Sequence, residues 1–264
     1  MIGACLVALL CGAVAAPDLL ETRLVLDTPV SASTVQTSSL DEVDVDFKRF
    51  HETLGWTFTR GLISAENLWP FVIGAGASLA AVSIDDELSD ELRGRFDEYG
   101  EIGSFVGHPV TIAASVGALV VAARLTENRR FRAFSYSLAQ AQILDSALKI
   151  GLKATVPRTR PNGENANSFP SGHTSGTFAF ATVAGHYYGK KVGIPGYVVA
   201  ALVGGSRIEK GKHYLSDVLF GATLGYITGR TAVRGTEGTF LPDRMTFHPM
   251  LGYGRSGVIA QIHF

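Results

Sequence analysis

Ser168-Phe169-Pro170-Ser171-Gly172-His173 leads directly into Thr174–Tyr188, a run rich in Ala, Phe, Gly, Thr and Val with no Lys, Arg, Asp or Glu. The stretch reads as a turn feeding a helix. Backbone N–H groups at a helix start have no acceptor within the helix and point outward, so they are ready donors to an anion. Gly172 lets the backbone approach that anion closely, and the Ser171 hydroxyl adds another donor. His173, at the edge of such a site, is placed to protonate a leaving oxygen as a general acid.

Two more motifs bracket this one. Upstream, Lys153 is followed after six residues by Arg160-Pro161; downstream, Ser206-Arg207 is followed after five residues by His213 and after three more by Asp217. Lys153, Arg160 and Arg207 can clamp the non-bridging oxygens of a phosphate, the arginines through a planar fork and the lysine as a point charge. His213 and Asp217 are four apart in 213–230, a stretch that reads as helix, and that spacing predicts both side chains on one face. A carboxylate on one ring nitrogen orients an imidazole and leaves the other nitrogen free to attack phosphorus. The inventory suits phosphoryl transfer through a phosphohistidine at His213, later hydrolysed by water activated by His173. With three cations supplying the electrostatics, neither a metal nor another cofactor is required. Each motif alone is common in helices and turns; it is their co-occurrence in order that carries the reading.

Together the three motifs resemble the signatures of the type 2 phosphatidic acid phosphatase superfamily, which includes bacterial acid phosphatases, membrane lipid phosphatases and vanadium haloperoxidases. The motifs span Lys153 to Asp217, within a helical core of 67–230. The resemblance implies an all-α helical bundle. It assigns His213 as nucleophile, His173 as general acid and Asp217 as the group that orients His213. Lys153, Arg160, Ser171, Gly172 and Arg207 become the phosphate ligands.

Composition sets the frame. The chain has 264 residues and a formal net charge of −1, which advertises no polyanion-binding surface and no nucleic-acid partner. Residues 1–16 are apolar and end in Ala13-Val14-Ala15-Ala16-Pro17, which fits a signal peptide cleaved after Ala15, although no Lys or Arg precedes the apolar run. Both cysteines, Cys5 and Cys11, fall inside that leader, so a mature chain needs no disulfide. Residues 17–45 read as a linker, 46–230 as the helical phosphatase domain and 231–264 as a tail.

Along the domain, Phe47, Phe50, Leu54, Phe58 and Leu62 recur at helical spacing and predict an N-terminal amphipathic helix whose face packs on the core or lies on a membrane surface, core packing being the commoner use of such a stripe. Core helices, about six in all, are predicted over 67–84, 102–124, 131–153, 173–188, 195–209 and 213–230. Asp85-Asp86-Glu87 and Asp90-Glu91 read as a solvated acidic loop, and Glu209, Lys210 and Lys212 as groups at the pocket mouth or in solvent. In the tail, partial alternation around Gly252-Tyr253-Gly254 predicts a small C-terminal β-hairpin.

The predicted substrate is a phosphorylated small molecule or, more narrowly, a lipid phosphate, with a membrane surface as a further partner; oligomeric state is not legible. Most of the uncharged runs fall short of the twenty or so residues that span a bilayer, which favours a periplasmic or secreted protein. The alternative is an integral inner-membrane protein with its active site facing the periplasm. A broad-specificity soluble acid phosphatase, a vanadate-dependent haloperoxidase and a catalytically silent envelope binding protein are the competing functions.

Overall fold

The computed structural model describes residues 50–95, 97–240, 245–252 and 255–262. The expected signal peptide and linker lie outside them. The first helix, α1, covers 50–56 and continues as a π turn, Thr57–Gly61. After it come α2 (Ala65–Ala81), a 3₁₀ turn (Val82–Ile84), α3 (Asp85–Leu92), α4 (Asp97–Val106) and α5 (Pro109–Arg124). The chain continues through α6 (Arg129–Thr155), α7 (Gly172–Tyr188), α8 (Lys190–Glu209) and α9 (Leu215–Phe240). The described core is all-α, as expected. Beyond it, β1 (Met245–Gly252) and β2 (Arg255–Ile262) pair antiparallel, Met245 opposite Ile262 and Gly252 opposite Arg255.

Several boundaries differ from the predicted ones for identifiable reasons. The acidic stretch is helical rather than a loop: its three leading carboxylates sit in the first turn of α3, where they oppose the positive end of the helix dipole. The segment 102–124 is divided, because Pro109 occupies the first turn of α5 and holds His108 extended at ψ 133°. His108 then caps the new helix, its Nδ1 accepting from Val110 N at 3.2 Å, and the two pieces meet at a 42° bend. Finally, α9 begins two residues after His213 and runs to Phe240, past the predicted domain end at 230.

Helix α7 is central, flanked by α6, α8 and α9, while α9 also packs on α2 and α6. The α7–α9 contact is backbone-close along Gly221, Gly225 and Gly229, one residue per turn of α9. A Cβ on Gly225 would lie 2.1 Å from Ser175 O, and one on Gly221 2.6 Å from Ser171 O. Small residues at four-residue steps are how helices approach this closely. The crossing sets the start of α7 against the start of α9, where the motif residues lie.

In the first two helices the packing is inverted relative to a water-soluble bundle. In α2 the buried residues are Asn67, Gly74, Ser78 and Ala81, while Leu68, Trp69, Ile73 and Leu79 are 57–75% exposed. In α1, Thr53 and Thr57 face inward, where Gln140 Nε2 donates to Thr53 Oγ1 at 2.6 Å; Trp56 and Phe58 face outward. The predicted amphipathic stripe is divided: Phe50, Leu54 and Leu62 are half-buried, with Phe50 6.0 Å from the buried Tyr136 ring of α6, while Phe58 is exposed and Phe47 lies outside the described residues. From Ala65 to Leu92 the helical stretch has a mean hydropathy of 1.5 over its most apolar window, of which only 17% is buried, and it is long and apolar enough to cross a membrane.

Gly225→Ala should lower thermal stability in detergent by about 1–3 kcal/mol, the usual cost of overpacking. Gly117→Ala, which meets nothing within 4 Å, should leave stability unchanged or slightly raised.

Candidate active site

The site is assembled from helix ends on one side of the bundle. Lys153 lies in the last turn of α6 and braces the loop that follows: its Nζ donates to Asn167 O at 2.7 Å and to Pro170 O at 2.9 Å. That loop folds on itself through Arg158 N to Ala166 O and Ser168 N to Arg158 O, 3.0 and 2.9 Å. It delivers Ser171 to the N-cap of α7 in extended conformation, so Gly172 and His173 become the first helical residues. Ser171 N donates to Asp217 O at 3.1 Å, which joins the α7 and α9 ends.

The spacing from Arg207 to His213 is that of one tight reversal. Arg207 occupies the last turn of α8, Gly211 takes φ +59°, and Lys212 N and His213 N both donate back to Arg207 O, at 3.0 and 3.3 Å. A side chain with a Cβ is strained at that φ, so glycine belongs there. The turn sinks His213 until it is 2% exposed.

His213 Nδ1 lies 2.5 Å from Ser168 O. A carbonyl can only accept, so Nδ1 carries the proton and Nε2 keeps its lone pair. The predicted direct Asp217–His213 contact is replaced by an indirect one. Because His213 precedes α9, the four-residue helical face does not apply to it. Asp217, fully buried, instead accepts from Ser168 Oγ at 2.5 Å and from Tyr214 N at 2.9 Å through Oδ2, and from Arg158 Nη1 at 2.7 Å through Oδ1. It positions the residue whose carbonyl positions the histidine.

Two guanidiniums complete the cluster. Arg207 is 6% exposed and donates through Nη1 to Ser104 Oγ at 2.6 Å; Arg160 donates through Nη1 to Glu164 Oε2 at 3.1 Å. Among the described residues, the buried Nε of each has no hydrogen-bond partner. Buried donors are almost always satisfied, so a pair of orphans beside a free imidazole nitrogen marks a place for an acceptor-rich ligand. Burial, followed by the charges of Lys153 and Arg207, pushes the His213 pKa well below the usual imidazole value.

The structure thus brings Lys153, Arg160, Ser171, Gly172, His173, Arg207, His213 and Asp217 to one end of the bundle. It adds residues outside the three motifs. Arg158 bridges Asp217 and Asp85, the latter at 2.8 Å, and stacks over the Tyr214 ring at 4.2 Å. Asp85 in turn accepts from Ser216 N at 2.9 Å at the start of α9. His108 faces His173 edge-on, ring centroids 5.9 Å apart. Lys149 pairs with the buried Asp145 at 2.7 Å beneath Gly172. The Arg-x-Arg doublet at 158–160 was the available signal for Arg158; nothing local marked Asp85. Lys210 and Lys212 pair with Glu101 and Glu164, whereas Glu209 is buried rather than solvated, at 3% exposed. Among the described residues, no three or more His, Cys, Asp or Glu side chains group as a metal site would.

An all-α bundle carrying an anion site built from helix ends is the class that fold and site define. The profile of the PAP2 superfamily matches residues 107–239, half of the chain and every motif residue, and the chain belongs to that superfamily. Over 80 residues it is 45% identical to lipid A 1-phosphatase of Porphyromonas gingivalis, covering 29% of this chain and 18% of that one. Over 98 residues it is 34% identical to phosphatidylglycerophosphatase B of Bacillus subtilis, covering 31% of this chain and 48% of that one. The chain thus spans less than half the length of these curated relatives. In fold it is similar to the crystal structure of a transmembrane PAP2 type phosphatidylglycerolphosphate phosphatase from Bacillus subtilis, with a TM-score of 0.52 and 22% identity over 66% of this chain and 94% of that one.

Two outcomes are expected. After correction for ionisation of the ester, kcat/KM for phosphate release should hold as pH falls through about 6.5, because a depressed pKa keeps the His213 imidazole neutral there. Arg207→Met, by removing a nearby positive charge, should move that acid limb upward. Separately, Arg158→Met strands two buried carboxylates and should cost about 3 kcal/mol or more in thermal stability.

Proposed function

We propose that this protein is a membrane-embedded phosphatase that releases phosphate from a lipid phosphomonoester or pyrophosphate at a site outside the cytoplasm. The observation that carries the chemistry is the pair of unpartnered buried guanidinium nitrogens of Arg160 and Arg207 beside an imidazole whose Nδ1 is tied to Ser168 O. Lys153, Arg160, Arg207, the Ser171 hydroxyl and the backbone donors at Gly172 hold the phosphate oxygens. His213 Nε2 attacks phosphorus as the P–O ester bond breaks, and the leaving oxygen takes a proton from His173. Water then attacks the phosphohistidine, giving up a proton to His173; the N–P bond breaks, and inorganic phosphate leaves with His213 restored. Asp217 acts through Ser168, holding the carbonyl that fixes the tautomer.

The names of the relatives, lipid A 1-phosphatase and phosphatidylglycerophosphatase B, support a lipid phosphate over a soluble ester. The inverted packing supports the same choice, and on that ground the freely soluble periplasmic reading yields to the integral one. Six segments cross the bilayer in this reading: α2 with α3, α4 with α5, and each of α6 to α9. Arg129, Arg130, Arg132, Lys190 and Lys191 flank the end away from the site. An excess of basic residues marks the cytoplasmic side, which directs the site outward. The C-terminal strands are accessory to this bundle.

The test is phosphate release by purified protein in detergent and chelator, comparing phosphatidic acid, phosphatidylglycerophosphate and a soluble phosphomonoester. Release from the lipids should fall by roughly a thousandfold or more in His213→Ala. Preference for the soluble ester would replace the lipid reading with a broad acid phosphatase, and full activity in the variant would remove the mechanism.

A further inference from the structure

At the opposite end of the bundle from His213, the last turn of α7, the first turns of α8 and the late turns of α9 enclose a cavity of about 530 Å³, closed on one side by Glu66 of α2. It is separated from the active site by the length of α7, about 25 Å at 1.5 Å per residue. Its floor is bare backbone. Gly185 of α7 and Gly193 of α8 touch there, and a Cβ on Gly193 would sit 2.8 Å from Gly185 Cα, so no side chain fills the space above them.

The cavity carries surplus positive charge. Arg230 and Arg234 share one carboxylate, Glu66, the Arg230 contact measuring 2.9 Å. Lys190 lines the same space and makes no ion pair among the described residues. The remaining carboxylate, Glu237, is engaged by His186 at 2.6 Å. Glu66 is also the most exposed member of its cluster, at 62% against 32% and 23% for the two arginines it serves. A carboxylate open to solvent and shared between two less exposed guanidiniums is readily displaced by a phosphate that can take both forks.

A second feature leads out of the cavity. Ile194 lines it and also begins a row with Val198 and Leu202, at four-residue steps on the outside of α8, 61%, 54% and 51% exposed. Residues so spaced form one continuous aliphatic strip up the helix. We infer that this cavity binds the phosphate headgroup of an anionic phospholipid from the cytoplasmic leaflet, through Lys190, Arg230 and Arg234, with an acyl chain lying along Ile194, Val198 and Leu202. Basic pockets between membrane helices on the cytoplasmic side suit such headgroups. This second lipid site is distinct from the catalytic one, and it rests on the membrane-spanning reading above.

Cardiolipin is the probe, because its phosphodiesters are not substrates for a phosphomonoesterase. Delipidated full-length protein in detergent is titrated with cardiolipin, phosphatidylcholine and glycerol 3-phosphate, with bound lipid counted by native mass spectrometry and stability followed by thermal unfolding. Cardiolipin should bind and stabilise and phosphatidylcholine should do neither; in Arg207→Met, where the catalytic phosphate site is weakened, glycerol 3-phosphate should do neither as well. Arg230→Gln with Arg234→Gln should weaken it roughly tenfold or more. Lys190→Glu, an exposed and unpaired change that leaves the fold intact, should weaken it too, and Arg207→Met at the catalytic site should not. Retention of cardiolipin in Lys190→Glu, its loss in Arg207→Met, equal binding of phosphatidylcholine, or glycerol 3-phosphate binding Arg207→Met as tightly as the lipid does would each overturn the assignment. Carbonate extraction separates the two readings: a chain released from membranes defeats the membrane reading, whereas a chain that stays embedded yet binds no cardiolipin defeats this inference alone.

Discussion

The carboxylate of Asp217 is fully buried and accepts from three donors. Each donor comes from a different part of the site: Ser168 from the loop before α7, Tyr214 from the turn before α9, and Arg158 from the strand-like start of that loop. A buried charge is costly unless paired and hydrogen-bonded, so the three groups are held together by the penalty of leaving any of them. Through Ser168 the constraint reaches His213, and through Arg158 it reaches Asp85 and the top of α3. The His213 imidazole is therefore oriented by a chain of short contacts whose centre is one residue removed from it.

That centre works only because the helices beneath it come close together. Gly221, Gly225 and Gly229 allow α9 to lie against the backbone of α7, and Gly103 of α4 approaches Ser206 of α8 in the same way. The interior so formed is small and polar, with threonines at 174, 177, 182, 228, 231 and 236 buried. Hydrophobic burial in the ordinary sense is concentrated around Phe134, Leu138, Val183 and Tyr187. On α2, large apolar side chains such as Leu68, Trp69 and Ile73 point outward, the direction that faces lipid in the membrane-spanning reading proposed above.

The candidate site was legible in the sequence to the extent that its chemistry is local. A lysine at a helix end, an N-cap serine followed by glycine and histidine, and an arginine separated from a histidine by one turn all keep their spacing whatever surrounds them. The positions of most helices were equally legible from runs of apolar residues, and the all-α fold follows from them. Three things depended on tertiary context. The i, i+4 rule placed Asp217 on His213 because it assumed a helix that starts two residues later. The stripe of Phe47, Phe50, Leu54, Phe58 and Leu62 left core and membrane surface both open, since periodicity reports a face and not its direction, and the described part is split, Phe50 packing on Tyr136 and Phe58 facing out. Asp85, far away in the chain, reached the site only through Arg158 and Ser216, and no local pattern joins residues so distant.

Lys153 shows how closely support and chemistry are combined here. An ammonium group has three hydrogens, and two of them hold the carbonyls of Asn167 and Pro170. One remains to face a ligand. A substitution at this position therefore deletes a brace of the loop that presents Ser168 and Ser171 as well as a positive charge. Loss of turnover in such a variant measures both at once, and cannot be entered as a binding energy for phosphate.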